Sequence, residues 1–213
     1  LTWPLVRPQP PVPASLQALY VPGKVTVVEF SDFECPYCRL LHRRLKELLP
    51  AYGERVVLRR LNKPLNMHPN ARHAARGALC AEQQHRGEAM ADALFSSRDL
   101  SPAGVEAQAG TLGLDLESFR RCVTAPETDQ RIAKESAILD EVGFKGLPTT
   151  FIGDRVLLGA QETYVFQQAI ERAAKGVPAE GVPGWLYLTA TATLSAVILG
   201  LGWPRRRRSA TPS

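Results

Sequence analysis

The chain has 213 residues, 45% hydrophobic and 22% charged, a composition that fits one globular domain with appendages. Its net charge of +5 includes Arg205, Arg206, Arg207 and Arg208, the only charged residues after position 184, so residues 1–184 carry +1. A body so near neutrality excludes a broad basic face, and nucleic acid is not an expected partner.

The chain begins at Leu1, with no charged segment leading into an apolar run, so no signal peptide is expected. Residues 1–22 hold Pro4, Pro8, Pro10, Pro11, Pro13 and Pro22, a density that predicts an extended linker. Residues 24–30 (KVTVVEF) read as a buried strand. Residues 36–49 read as a helix opened by Pro36, with Leu40, Leu41, Leu45, Leu48 and Leu49 on one face. Residues 55–61 (RVVLRRL) read as a second strand, so the first sixty residues form a β-α-β unit.

A helical block follows. Ala71, Ala74, Ala75, Ala78 and Leu79 keep a helical period; Ser101-Pro102, Asp115 and Pro126 each open a further helix, and Gly143 closes the last. Two short runs, 149–153 (TTFIG) and 155–159 (RVLLG), meet at Gly153-Asp154, a hairpin signal. A final helix at 162–175 buries Val165, Phe166, Ala169, Ile170 and Ala173. The order β-α-β, helical insertion, β-β-α predicts an α/β fold with a small mixed sheet flanked by helices.

After a linker at 178–184, residues 185–203 (WLYLTATATLSAVILGLGW) carry no charge. As a helix they would span about 28 Å, close to the hydrocarbon thickness of a bilayer. Trp185, Tyr187 and Trp203 lie near the ends, and four arginines follow in the tail 204–213. This predicts a single transmembrane helix with a basic cytoplasmic tail and the domain outside the cytoplasm. Thr189, Thr191 and Thr193 make the span less apolar than most, and a buried core helix is the competing reading.

The chemistry sits in "VVEFSDFECPYCR", residues 27–39, where Cys35 and Cys38 straddle a helix start. Unpaired amides and the helix dipole favour thiolate at that place, and one helical turn brings the two sulfurs within bonding reach. Cys35 would attack or be attacked, and Cys38 would resolve the mixed disulfide. Half of a zinc site, a structural disulfide and two buried thiols are the competing readings. No second pair of metal ligands has suitable spacing, so no metal is expected, and a C-x-x-C opening a helix inside β-α-β is the redox context. His68 and His73 complete no metal site, and His42, two turns beyond Cys35, reads as a surface residue; none is given a role.

"EFSDFECPYC" together with "GLPTTFIGDRVLLGA" resembles the DsbA-like branch of the thioredoxin superfamily. The likeness spans about residues 23–176 and includes the helical insertion. It implies a thioredoxin-like fold over 23–177, with the insertion at about 66–143, and thiol–disulfide exchange with protein substrates outside the cytoplasm, in the periplasm. By the same resemblance Cys35 is the exposed nucleophile, Cys38 the buried resolving thiol, and Pro148 a cis-proline facing the disulfide. Pro36, Tyr37 and Leu147 then border the substrate, with Leu147 standing where valine or threonine is common. Glu29 matches a buried acid that assists proton transfer, although from the residues alone it could equally be solvated at a sheet end. Cys80 and Cys122 read either as two buried thiols or, in an extracytoplasmic chain with four cysteines, as a structural disulfide. Some relatives carry such a bridge in the insertion.

The expected protein is therefore a membrane-tethered thiol–disulfide oxidoreductase, favoured in the oxidising direction and needing no cofactor. Its partners would be protein thiols or disulfides, the lipid bilayer and a membrane redox partner, for example one like vitamin K epoxide reductase. Similar domains follow such segments, or sodium/proton antiporter segments, in fused proteins. The alternative from another class is a non-catalytic thioredoxin-like binding or chaperone module on the membrane.

Overall fold

The structure, a computed structural model, describes residues 12–143 and 145–176. A strand β1 (Val25–Ser31) leads into helix α2 (Pro36–Leu48) and, through a 3-10 turn, into β2 (Val56–Asn62). Helices α3 (Ala71–Gln83), α4 (Gly87–Ser96), α5 (Pro102–Thr111), α6 (Leu116–Thr124) and α7 (Pro126–Glu141) follow. The chain then returns through β3 (Thr149–Ile152), β4 (Arg155–Leu158) and α8 (Thr163–Ala174). A short helical turn, α1 (Ala14–Gln17), precedes them all.

The sheet order is β2-β1-β3-β4. β1 runs parallel to β2 and antiparallel to β3, which pairs antiparallel with β4. This is the predicted β-α-β and β-β-α arrangement, with strand limits within a residue or so of expectation. Gly153, at φ 61, takes the first central place of the two-residue loop between Ile152 and Arg155, where left-handed backbone is needed.

Period-two alternation assigns the two faces of the buried strands. Val27 and Ile152 meet Leu41 and Leu45 of α2 and Phe166 and Ile170 of α8. Val28, Phe30 and Phe151 turn to the other face, against Leu16 and Leu139. Glu29 and Ser31 share the Val27 parity and so point to the α2 side of the sheet.

The insertion forms its own core, built on Met90, Leu94, Phe95, Val105 and Phe119, and this core continues to Phe33, Cys35 and Cys38. Ser101 and Asp115 cap α5 and α6 through their side chains, and Pro102 and Pro126 open α5 and α7, as predicted. Gly77 lets α3 and α5 approach, since a Cβ there would lie 2.4 Å from Val105 Cγ1. Cys80 and Cys122 form a disulfide between α3 and α6.

Three features depart from the sequence reading. Helix α4 lacks the polar cap or proline that opens its neighbours; it starts at Gly87 after a turn in which His85 holds φ 59. His42 is 5% exposed instead of lying on the surface, because it faces inward one helical turn after Cys38. Part of the expected proline-rich linker is folded: α1 and its flanks pack Leu16, at 0% exposure, with Val12, Leu19 and Tyr20 against the sheet. Apolar spacing outweighs proline content there, since Pro13 is compatible with the start of a helical turn. The linker 178–184, the span 185–203 and the tail 204–213 lie outside the described residues. Among those described, no helix is long and apolar enough to cross a membrane.

Leu16→Ala is expected to lower unfolding stability by about 2–5 kcal/mol, read as a lower urea midpoint, whereas a linker residue would shift it by less than about 0.5 kcal/mol.

Candidate active site

The end of β1 and the start of α2 are joined by a turn built on Asp32. Its Oδ1 accepts from the Glu34 amide at 2.8 Å, and its backbone carbonyl accepts from the Cys35 amide at 3.1 Å. Cys35 is then the extended N-cap residue of α2, with Pro36 in the first helical position. The Arg39 amide bonds back to the Cys35 carbonyl at 3.1 Å, which closes the first turn and brings Cys38 beneath Cys35.

Both cysteines are free thiols in this structure. Cys35 retains 6% exposure and Cys38 none, so Cys35 is the accessible sulfur of the pair, though only by an edge. That is less open than the resemblance implies, because Cys35 is packed into the core of the insertion. The Cys38 thiol beside it lowers the Cys35 pKa to about 6, helped against burial by the amides of Cys38 and Tyr37 and opposed by the Asp32 charge. The same contact and its own burial push Cys38 upward. The two thiols are thus divided into one that ionises readily and one that keeps its proton.

The remaining expected neighbours fall into two groups. Pro36 and Tyr37 are exposed beside Cys35, Tyr37 at 63%. The Leu147-Pro148 peptide is cis, Leu147 packs against the cluster that holds Cys35 and Cys38, and the Pro148 carbonyl accepts from Gly159 N at 2.7 Å.

Glu29, on the α2 side of β1, is fully buried. Burial raises its pKa, against the lowering charge of Arg60, its register partner on β2. Arg60 Nε bonds Glu29 Oε2 at 3.2 Å, and Arg60 Nη1 reaches Glu88 of α4 at 3.0 Å. Ser31 neighbours both the Glu29 carboxyl and the Cys38 thiol, and its hydroxyl favours the charged form of each. Glu29 Oε1, Ser31 Oγ and Thr150 Oγ1 are buried without hydrogen-bond geometry to any described residue. Thr150 stands opposite Glu29 in the β1–β3 register, so these atoms share one side of the sheet.

Several residues given no role by the sequence belong to this site. Arg60 Nη2 lies 3.2 Å from His42 Nδ1, and His42 Nε2 lies 2.9 Å from Asp92. Because guanidinium only donates, Nδ1 accepts and Nε2 carries the proton. Burial, with the Arg60 charge, lowers the His42 pKa and keeps this ring neutral. Phe95 stacks on His42 at 4.5 Å and lies under Arg60. On the other side of Cys35, Asp32 Oδ2 accepts from Leu65 N and meets His68 Nδ1, each at 2.8 Å. The available signal was pairing parity: Arg60 is the charged residue that parallel pairing sets beside Glu29. Nothing in the spacing marked His68. Among the described residues no group of three or more His, Cys, Asp or Glu side chains is arranged to hold a metal ion.

Residues 22–172 match the model of the thioredoxin family. A thioredoxin-like oxidoreductase from Silicibacter pomeroyi DSS-3 is 36% identical, with TM-score 0.66 over 72% of this chain and 88% of that one. Pseudomonas aeruginosa DsbA2 is 27% identical, with TM-score 0.62 over 74% of this chain and 92% of that one. In sequence, a protein named Na(+)/H(+) antiporter NhaA 3 from Salinispora tropica is 40% identical over 134 residues, which are 62% of this chain. The chain spans only about a fifth of that relative's length, at 20%.

A Cys35 that ionises near 6 fixes the proton count of reduction. Below that pH the dithiol takes up two protons with its two electrons; above it, one. Each proton changes the midpoint by about 30 mV per pH unit. The Cys35–Cys38 potential, followed in glutathione buffers against pH, is expected to fall by about 60 mV per unit in acid and about 30 mV per unit above a bend near 6. A bend above about 8 would mean an ordinary thiol.

Proposed function

The chain belongs to the thioredoxin family as a DsbA-like thiol–disulfide oxidoreductase, and from that premise we propose that it oxidises protein dithiols through a mixed disulfide at Cys35. The observation that carries the oxidising direction is the seat of Cys35 as the N-cap residue of α2, one turn before Cys38, where the Cys38 thiol and the helix amides favour a Cys35 thiolate. A stabilised thiolate is a good leaving group and makes the reduced pair the favoured state.

A substrate thiolate attacks Cys35 Sγ of the oxidised pair, the Cys35–Cys38 bond breaks, and Cys38 leaves and takes a proton. A second substrate thiolate then attacks the substrate sulfur of the mixed disulfide and expels Cys35 as thiolate. The substrate loses two electrons and two protons. The cysteine pair gains both electrons and, above pH about 6, the Cys38 proton, while the other proton goes to solvent. Glu29, which burial biases toward its protonated form, is the proposed proton donor to departing Cys38, with Ser31 beside both. Pro36, Tyr37, Leu147 and Pro148 border the approach of the substrate chain, with the backbone of Leu147 available to pair with an extended peptide.

Each turnover leaves a dithiol, so a re-oxidant is required, and a membrane disulfide-generating partner like vitamin K epoxide reductase is proposed. The uncharged stretch 185–203 followed by four arginines supports a membrane tether, with the domain on the periplasmic side. The insulin turbidity assay tests the exchange. Cys35→Ala should abolish it, and Cys38→Ala should accumulate mixed disulfides visible on non-reducing gels. Equal rates for parent and Cys35→Ala would mean a binding module instead. Glu29→Gln should slow attack on the Cys35–Cys38 disulfide by about tenfold or more at neutral pH, with binding of a thiol-free substrate peptide unchanged.

A further inference from the structure

The loop between β2 and α3 is fastened to the residues just before Cys35. Lys63 N bonds the Ser31 carbonyl at 2.9 Å, and Leu65 N and His68 Nδ1 bond Asp32 Oδ2. Asn70 N and Nδ2 bond the two Glu34 oxygens at 2.7 and 3.3 Å. The Asp32 side chain is fully buried, whereas that of His68 keeps 20% exposure. A carboxylate buried three residues before Cys35 opposes a second negative charge on the neighbouring sulfur. Five bonds hold the one imidazole that answers it.

We propose that His68 is a positioning residue for the exchange reaction: seated on Asp32, its imidazolium neutralises that carboxylate and stabilises the Cys35 thiolate from outside the C-x-x-C. This rests on the exchange reading above. It supplies, from a separate loop, the positive charge that Pro36 and Tyr37 between the cysteines lack.

The groups facing His68 are Asp32, Cys35 and Glu34 from the β1–α2 turn. Lys63 of its own loop is turned to Asp140 at 2.7 Å. Partial burial disfavours the imidazolium, but the Asp32 hydrogen bond and charge, with Cys35 and Glu34, raise its pKa overall. The signs then define a window. Cys35 loses its thiolate as pH falls through about 6, and His68 loses its charge as pH rises through its raised value. Between the two limits thiolate and imidazolium coexist.

Coupling of this kind is reciprocal, so oxidation state must move the histidine. The test follows the His68 ring by NMR against pH in the full chain, in dithiol and disulfide forms. The His68 midpoint should be higher in the dithiol form, where the Cys35 thiolate is present. In a second arm, His68→Gln keeps a donor toward Asp32 but removes the charge. Ultraviolet thiolate absorbance should then show the Cys35 midpoint raised by roughly half a unit, about a threefold fall in the thiolate-to-thiol ratio at a given pH. Equal His68 midpoints in the two forms, or an unmoved Cys35 midpoint in a folded His68→Gln, would overturn the proposal. Failure of the exchange reading is separately visible, because the pair would then not equilibrate with glutathione.

Discussion

The site depends on the seat of Cys35 as the N-cap residue of α2, one helical turn before Cys38, and that seat exists only because a helix begins where it does. β1 is buried on both faces and fixed by pairing on both edges, so its last residue is held firmly. The Asp32 turn then sets Cys35 as the N-cap residue of α2, and one turn of helix aligns the two thiols. Moving the helix start by one residue would turn Cys38 about 100° away from Cys35. Packing at the far end of α2, through Leu41, Leu45 and Leu48 against α8 and the sheet, therefore bears directly on the chemistry at its first turn.

A second constraint comes from Glu29. A carboxylate at the centre of a buried sheet is costly unless paired. Arg60 is its partner, and Arg60 in turn is shared with Glu88 and His42. The network reaches solvent through Asp92, which also bonds Lys46 at 2.7 Å. Arg60 being common to all of these, the charge on Glu29 depends on residues from β2, α2 and α4 together. The insertion thus does more than cover the sheet: α4 supplies Glu88, Asp92 and Phe95 to the network around Arg60.

The elements that were legible in the sequence are those whose signal is local. Strand β1 is a run of apolar residues ending in a turn, α2 has a proline at its first position and a leucine stripe, and the β3–β4 hairpin has Gly153-Asp154. The redox pair was legible for the same reason, since C-x-x-C carries its spacing within one helical turn. What was missed depends on long-range packing. Helix α4 begins on a glycine with no capping residue, and its place is set by contacts with α3 and α5. His42 looks like a surface position until α4 stacks Phe95 on it. His68 belongs to the site only through Asp32, 36 positions away, and no periodicity connects the two. Leu16 was hidden by the prolines around it, whose number argued for a linker while the apolar spacing argued for packing.

The two thiols need opposite treatment, and the fold separates the means. On the sheet side, Glu29 and Ser31 are buried on the α2 face of β1, with Ser31 beside Cys38. Burial there raises the pKa of Glu29 against the charge of Arg60, which is what the proposed proton donor to Cys38 requires. On the loop side, Asp32 is buried near Cys35 and bonds His68, whose ring keeps 20% exposure and can respond to solvent pH. Were the two acids exchanged, an ionised carboxylate at the Glu29 position would hinder the departure of Cys38 as thiolate, and a neutral acid beside Cys35 would leave His68 without an anchor. The parity of β1 prevents this: Glu29 and Ser31 lie on the α2 face, while Asp32, past the end of the strand, turns toward the loop at 63–70. A single residue step along the chain therefore divides the proposed proton donor from the proposed stabiliser of the thiolate.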